Sequence, residues 1–537
     1  MSEPGETGSS SGASSTAGGP RSHPDAAVRG FGTRLASQSV VYGFGNVLSK
    51  TIAVFLIPVY TRVLTPGDYG VVSISNVLYT LLMLFLNLGT SSALFRYYHE
   101  AADDAERKDY VTGAFWLLMG TATLIVALAM LAAGPLAQLL FGSADKAAFV
   151  RMTALWCFMS AFPLVPLAIF RAEGKPRLFI SVTVGSFLVN VVMTIIFIVV
   201  LRRGALGVIE SSVVATSMVA VAILAFLARR VTLRPSLSHV RAILSFGLPL
   251  VPFGLGMLVM NMGDRVILNR IAGATETGLY SLGYTAGMLV NLVLVQPFQT
   301  AWWPMVFASH KEEGAAERFG RVLTYLLFIG LAMALYLGVL AREAIQIIAA
   351  RPFWASYNVT FWVALAYVMY GVFYCVSVGS LLAGRSRHFT PLALIGAGTA
   401  LAGYFVLIPP FGRLGAAWAT LLGFTVMSVA GYLMAQPRYR VPYEWSRIAR
   451  LVLVAGATYA ITAGIVIQPA WLGLLAKALL IGALYIGGLW VLRFFRKSEI
   501  RKARELWLSA VSRARLGPAE ERAVEELEEA LETSERP

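Results

Sequence analysis

A lysine in the middle of a long apolar run is the side chain best placed to do chemistry in this sequence. Lys50 lies at the centre of residues 38–62, with Asn46 four positions before it and Tyr42 eight before it. Residues four apart share one side of an α-helix, so the three form a polar stripe. A charge deep in a membrane helix usually faces a cavity or a partner. The stripe is interpreted as a cationic site suited to a phosphate. The alternatives are a lysine bonded to backbone carbonyls and, for Tyr42, an interfacial anchor.

A second polar face, formed by Asn261, Asp264 and Arg265, lies near the end of the run 243–268. It is interpreted as part of the same cavity, with Asp264 pairing with another cation or acting as an outer-gate residue. A solvated helix end is the alternative. The same run contains LPLVPFGLG, and proline disrupts helical hydrogen bonding. Pro249 and Pro252 are therefore predicted to form a hinge, with a static packing kink as the alternative.

Other charges within the apolar runs have simpler interpretations. Glu210 lies close in sequence to Arg202 and Arg203, which predicts an external ion pair, with a proton-coupling carboxylate as the second interpretation. Lys477 lies near the end of the last apolar run and is predicted to extend its amine to the membrane interface. The sequence has no Gly-rich phosphate loop and no metal-ligand spacing. No catalytic residue, metal or cofactor is therefore predicted.

The elements that hold these residues are membrane helices. Hydrophobic residues form 57% of the 537-residue chain, charged residues only 14%, and mean hydropathy is +0.69, whereas soluble proteins are about 25% charged. A spanning helix needs about 20 mostly apolar residues. Fourteen transmembrane helices are predicted, at residues 38–62, 70–94, 112–136, 149–170, 178–201, 206–228, 243–268, 279–306, 321–341, 356–383, 389–409, 414–435, 451–467 and 471–493. The fold class is therefore all-α integral membrane.

The distribution of positive charge predicts the orientation. The gaps after even-numbered helices carry nineteen Lys and Arg residues, and the gaps after odd-numbered helices carry ten. Cytoplasmic loops are enriched in Lys and Arg, so both termini are predicted to be cytoplasmic. The net charge of +15 is attributed to this topology and not to nucleic-acid binding.

Helices 1–6 and 7–12 are predicted to be two parallel repeats around a central cavity. Gly70 in LTPGDYGVVSIS matches Gly278 in AGATETGLYSLG, and Gly207 matches Gly415, both at an offset of 208. Parallel repeats are a transporter arrangement with the substrate site between the halves. The predicted units are a disordered cytoplasmic arm at 1–36, an N-lobe at 37–228, a C-lobe at 229–435, two additional helices at 436–495 and a charged amphipathic tail at 496–537.

Three segments resemble the polysaccharide exporters, or Wzx-type oligosaccharide flippases, of the multidrug/oligosaccharidyl-lipid/polysaccharide (MOP) superfamily. They are GNVLSKTIAVFLIPVYTRVLTPGDYG, LNLGTSSALFRYY and GDRVILNRIAGATETGLYSLGY. The resemblance implies a flippase in the bacterial inner membrane. Such a protein moves an undecaprenyl-pyrophosphate-linked oligosaccharide from the inner to the outer leaflet by alternating access, for O-antigen, capsule or exopolysaccharide assembly.

Two other functions stay open at this point. One is a cation-coupled exporter of small molecules or drugs from the same superfamily, and the other is a membrane-embedded enzyme of polysaccharide assembly. The short outer gaps and the lack of catalytic carboxylates disfavour the enzyme. Expected partners are the lipid-linked oligosaccharide and membrane lipids. A coupling cation (H+ or Na+) and polysaccharide-assembly proteins are further candidates.

Overall fold

The computed structural model describes residues 56–382, 389–497, 499 and 501, and within them every regular element is a helix. Ten described helical segments are long and apolar enough to cross a membrane. Their outer faces expose large apolar side chains such as Val221, Leu131 and Leu479. Water does not favour apolar faces of this extent, whereas lipid does. The chain is therefore a multi-pass membrane protein, as its composition predicts.

Residues 56–230 form nine α-helices, several of them separated by only one or two residues. They are α1 (Ile57–Val63), α2 (Pro66–Asn87), α3 (Thr90–Glu100), α4 (Asp104–Leu131), α5 (Ala133–Phe141), α6 (Ala147–Ala161), α7 (Leu164–Ala172), α8 (Pro176–Ile195) and α9 (Gly204–Arg230). A 3-10 turn at Ala144–Lys146 precedes α6, and a π-helical segment at Ile196–Val200 follows α8.

The second half of the described chain forms ten α-helices and is interrupted more often. They are α10 (Leu237–Gly247), α11 (Val251–Leu258), α12 (Asp264–Gly287), α13 (Gln296–Ser309), α14 (Ala315–Ile348), α15 (Thr360–Val376), α16 (Val378–Leu382), α17 (Phe389–Ala435), α18 (Trp445–Thr462) and α19 (Ala470–Val491). The 3-10 segments are Leu248–Leu250 and Arg351–Val359, and the π-helical segments are Val259–Gly263 and Asn291–Val295.

Local sequence explains where the helix α2 begins. The Thr65 hydroxyl accepts a hydrogen bond from the Asp68 backbone N–H, and the Asp68 carboxylate accepts one from the Thr65 N–H, both at 3.1 Å. This capping box satisfies two N–H groups that the first helical turn cannot. Pro66 occupies the first turn, where the missing N–H is not needed. The predicted gap 62–70 is therefore a tight turn.

Two glycines reverse the chain inside long helical segments. Gly273 within α12 has φ 86°, and Gly412 within α17 has φ 54°, both in the left-handed region that favours glycine. The hydroxyls of Tyr404 and Thr420 lie 3.1 Å apart across Gly412, although a straight helix would separate the two residues by about 24 Å. Both reversals fall in predicted gaps between apolar runs.

The two halves meet in a reciprocal contact between α2 and α12, the most extensive helix–helix contact in the described chain. A Cβ at Gly70 would lie 2.0 Å from the Ala274 carbonyl oxygen, and one at Gly278 would lie 1.8 Å from the Pro66 carbonyl oxygen. The backbones can approach this closely only because both positions are glycine. The two contacts mirror each other, because Pro66 and Ala274 are also 208 residues apart.

The hydroxyls of Ser73 and Ser281, also 208 residues apart, lie 2.7 Å apart in the same contact. Next to it, the Asn269 side chain donates to the Leu140 carbonyl oxygen at 2.9 Å. Polar side chains of the two halves therefore bond directly at the end of the molecule that carries the turns before α2 and at Gly273.

A second close contact lies at the other end of α2. A Cβ at Gly247 would lie 2.1 Å from the carbonyl oxygen of Leu88, which precedes the left-handed Gly89 between α2 and α3. The short helix α10 packs against α3 and α4, although it belongs to the predicted C-lobe. It therefore ties the start of the second half to the first. The count of fourteen helices, the repeats and the domain boundaries stay predictions.

Candidate functional site

Asp264 and Arg265 form an ion pair inside the protein. The Arg265 Nη1 lies 3.1 Å from the Asp264 Oδ1, and the two residues are 7% and 0% exposed. Nη1 also donates to the Asn261 carbonyl oxygen at 2.7 Å. The guanidinium carbon lies 4.1 Å from the centroid of the Tyr284 ring, within cation–π distance. The interpretation of this face as a solvated helix end is therefore wrong, because these charges are buried and paired.

Hydroxyl groups complete the environment of the Asp264 carboxylate. Its Oδ2 accepts a short hydrogen bond from the Tyr280 hydroxyl and a longer one, at 3.4 Å, from the Thr420 hydroxyl. Thr420 also bonds to Tyr404, as described above. The reversal at Gly273 brings Tyr280 back to Asp264. The helix α17 supplies the hydroxyls of Tyr404 and Thr420. The hydrogen-bonding capacity of the Asp264 carboxylate is therefore satisfied inside the protein, as is usual for buried polar groups.

Tyrosines extend the network to Asn261. The Tyr367 hydroxyl donates to Asn261 Oδ1 at 2.9 Å, and the Tyr284 and Tyr367 hydroxyls lie 2.8 Å apart. Sequence reasoning missed Tyr284, Tyr367, Tyr404 and Thr420. The motif YSLGY carries the one available signal, because Tyr280 and Tyr284 share a helix face within an apolar segment.

A cavity of about 350 Å³ lies beside this network. Its lining consists mainly of uncharged polar side chains: Met257, Asn261, Asn291, Gln296, Gln299, Thr300 and Tyr370. Of these, only Asn261 was predicted as a site residue. The polar positions of NLVLVQPFQT, in an otherwise apolar run, are the signal that could have identified the others.

Two π-helical segments flank the cavity. Asn261 lies within Val259–Gly263, and Asn291 begins Asn291–Val295. A π-bulge inserts an extra residue into a helix and often occurs at a functional site. Asn261 is twelve residues from the reversal at Gly273, about 18 Å along the helix. With Gly273 in a predicted gap at the membrane surface, a hydrocarbon core about 30 Å thick would place the cavity near mid-depth.

Of the other predicted site residues, only the prolines fall in the described chain. Lys50, Asn46 and Tyr42 lie outside the described residues. Pro249 lies in the 3-10 segment before α11, and Pro252 lies in the first turn of α11. The predicted seventh helix is thus a series of short segments, and each proline occupies a position that does not need its N–H.

Glu210 and Lys477, the other charges discussed within the apolar runs, are both paired. Arg203 contacts Glu210 through two hydrogen bonds of 3.0 and 2.6 Å, which confirms the predicted ion pair. The prediction for Lys477 is wrong. Its amine lies 2.7 Å from the Glu343 carboxylate, and both residues are buried. The amine does not extend to the membrane interface, because the Glu343 carboxylate on α14 neutralises it within the protein. Among the described residues, no cluster of His, Cys, Asp and Glu could hold a metal ion.

A carboxylate clamp joins three elements of the first half outside the spans. The Tyr98 hydroxyl and Arg230 Nη1 each donate to Glu173 Oε1 at 2.8 Å, and Lys175 lies 2.7 Å from Oε2. Burial acts to raise the pKa of Glu173, but the hydrogen bonds from Lys175, Tyr98 and Arg230 outweigh it and lower the pKa. The clamp therefore fastens the ends of α3, α7 and α9 together.

The chain matches one protein family by sequence and several solved structures by fold. Residues 59–358, more than half of the chain, match the family model described as polysaccharide biosynthesis protein. The chain belongs to the polysaccharide biosynthesis protein family. This confirms the family resemblance found in its motifs. No curated protein matches the chain by sequence.

Solved structures show that this member of the family has the fold of MOP superfamily transporters. The lipid II flippase MurJ in an inward closed conformation matches with a TM-score of 0.66 and 12% identity, over 84% of this chain and 98% of that one. A multidrug resistance MATE transporter matches in its inward-facing conformation with a TM-score of 0.58 and 17% identity, over 73% and 98%. Its outward-facing conformation matches with a TM-score of 0.53 and 18% identity, over 75% and 95%.

Proposed function

We propose that the protein is a flippase, not an enzyme, which moves an undecaprenyl-pyrophosphate-linked oligosaccharide from the inner to the outer leaflet of a bacterial inner membrane. One combined observation carries the proposal: the chain belongs to the polysaccharide biosynthesis protein family and has a fold similar to that of a lipid II flippase. Cytoplasmic termini are part of the proposal, supported by the nineteen-to-ten distribution of Lys and Arg.

Alternating access requires two halves that separate at one end at a time. The contacts between residues 208 positions apart support two related six-helix halves facing each other across α2 and α12. One end is held by Gly70, Gly278 and the serine pair, and the other by Gly247 against Leu88. Opening either contact alone would expose a central cavity to one side of the membrane.

The predicted pyrophosphate ligand is Lys50, supported by Asn46 and Tyr42. A lysine at mid-depth is costly without an anion, and a bound phosphate would offset that cost with charge-assisted hydrogen bonds. Lys50→Ala is expected to abolish export of the surface polysaccharide at normal protein levels, Lys50→Arg to retain part of it, and Lys50→Glu to be at least as damaging as the alanine. Complementation of a deletion strain is the assay. Full export by Lys50→Ala would show that the lysine is structural.

The proposed hinge lies at Pro249 and Pro252, between α10, which packs on the first half, and α11, which packs mainly on α17 and less extensively on α2. Bending there would let the second half rotate while α10 stays in place. Pro249→Ala/Pro252→Ala is expected to insert normally, to restore a continuous helix and to trap one conformation. Normal transport by this double variant would refute the hinge.

The alternative, export of a cationic small molecule, is favoured only by the fold shared with multidrug transporters. A cationic substrate would need an unpaired carboxylate within the spans. The two buried carboxylates of the described residues, Asp264 and Glu343, are both paired with an internal cation. Two results together would support the exporter instead. Everted vesicles that contain the protein would take up a cationic dye faster than vesicles without it, and polysaccharide export in the deletion strain would be unchanged.

A further inference from the structure

The cavity beside Asn261 has the chemistry of a site for a neutral, hydroxyl-rich ligand. Its polar lining supplies amide and hydroxyl groups, and no charged side chain is among the described residues that form it. An amide offers donors and an acceptor in one plane, which matches the mixed donor and acceptor character of hydroxyls. An anionic group would call for arginine or lysine, and a cationic one for carboxylates or aromatic faces.

One residue of the lining carries a side-chain atom without a hydrogen-bond partner in the described part of the chain. Asn291 Oδ1 is buried and has no hydrogen-bond partner among the described residues. A buried acceptor left without a donor destabilises the protein, so a ligand hydroxyl that donates to Asn291 would gain affinity by removing that cost. Asn261, another residue of the lining, keeps a fixed orientation because Tyr367 and the Met257 carbonyl oxygen hold its amide at 2.9 and 2.7 Å.

We propose that this cavity is a saccharide subsite that binds sugar residues of the lipid-linked substrate. The inference rests on the proposed flippase function, and it assigns the glycan to the second half of the protein. The volume of about 350 Å³ lies at the lower end of small-molecule sites, about 300–1,000 Å³. The subsite therefore takes a small part of the glycan, and the remainder extends into the central space.

Two substitutions test the subsite without touching the buried ion pair. Asn291→Leu and Gln299→Leu keep side-chain size but remove the amide from the cavity wall. Gln138→Leu, on the exposed face of α5, makes the same change outside the cavity and is the matched control. All variants are first compared with wild type for membrane level, monodisperse elution and thermal stability, so that loss of binding is separated from misfolding.

The probe is the lipid-linked oligosaccharide extracted from a strain lacking the protein, compared with bare undecaprenyl pyrophosphate. Binding of each to the full-length protein in nanodiscs is measured by native mass spectrometry or by displacement. Wild type and Gln138→Leu are expected to prefer the glycan-bearing lipid. Each cavity variant should lose about 3- to 10-fold of that preference, the equivalent of one neutral hydrogen bond, with unchanged affinity for the bare lipid.

The outcomes separate the subsite from the proposed function. If wild type binds both lipids equally well, or if both cavity variants keep the full preference, the subsite is refuted and the flippase function stands. If no lipid-linked oligosaccharide accumulates in the deletion strain, or if wild type binds neither lipid, the proposed function itself fails, and the subsite fails with it.

Discussion

One methyl group at Gly70 is expected to shift the protein away from the conformation described here. A Cβ at this position would lie 2.0 Å from the Ala274 carbonyl oxygen, whereas ordinary contact begins at 3.4 Å. The backbones of α2 and α12 would therefore have to separate by about 1.4 Å in Gly70→Ala. Overpacking of this kind costs about 1–3 kcal/mol. The cost applies only while the halves touch, so the closed-to-open ratio at this end should fall by roughly 5- to 150-fold.

Distance measurements by pulsed electron paramagnetic resonance would detect this shift. Spin labels at Ala144 and Ala355, which are exposed and predicted to lie on the outer side of opposite halves, report the separation there. The two native cysteines, Cys157 and Cys375, are buried and would be replaced beforehand. Gly70→Ala should add or enlarge a long-distance population in the label-to-label distribution.

Gly67→Ala provides the matched control three residues earlier. Its Cβ would lie 3.6 Å from the Thr275 hydroxyl oxygen, an ordinary contact, so the distance distribution should stay that of wild type. The reasoning is wrong if Gly70→Ala leaves the distribution unchanged, or if Gly67→Ala changes it as much. Gly278→Ala, the reciprocal change, should act in the same direction as Gly70→Ala.

Three further predictions follow from the topology, the buried pair and the clamp. A cysteine at Ala144 should react with an impermeant thiol reagent on intact cells, and one at Leu233 only after permeabilisation; the reverse result would invert the topology. Asp264→Asn should lose about 3–5 kcal/mol of stability by leaving Arg265 unpaired, seen as a lower thermal midpoint in detergent, and an unchanged midpoint would contradict the pairing. Because the folded-state pKa of Glu173 is lowered, its stabilising effect is complete above the unfolded-state pKa of about 4.5 and is lost as the pH falls through the folded-state value. Glu173→Gln should therefore be less stable than wild type at neutral pH and lose less stability on acidification, and parallel pH profiles would rule out the clamp.

The membrane helices could be predicted from sequence because the bilayer fixes their length and composition. The run predicted at 206–228 corresponds to Gly204–Arg230, and that at 471–493 to Ala470–Val491. The turns were predictable for a related reason, since a reversal between two apolar runs needs residues such as Gly273 and Gly412. Helical interruptions were harder to predict, because a π-bulge is a single-turn irregularity inside an otherwise regular α-helix and changes the apolar period very little.

The buried polar pairs could not be predicted, because their partners are distant in sequence. Lys477 alone looks like a side chain that extends to the interface, and only the fold brings Glu343, 134 residues earlier, within 2.7 Å. Asp264 likewise gains Thr420 through tertiary packing. Spacing within one helix shows which residues share a face, but it does not show what that face contacts.

The proposed flippase would divide its polar chemistry between the two predicted repeats in a way that suits an anionic lipid carrying a neutral glycan. At the offset of 208 residues, the counterpart of Lys50 is Leu258, next to the wall of the uncharged cavity. The counterparts of Asp264 and Arg265 are Leu56 and Ile57, so the internally neutralised pair has no equivalent in the first half. In the proposed flippase, the first half would then supply the lysine and the second half the neutral amides. A pyrophosphate-linked oligosaccharide needs both, whereas a cationic drug would find no unpaired carboxylate among the buried residues described here.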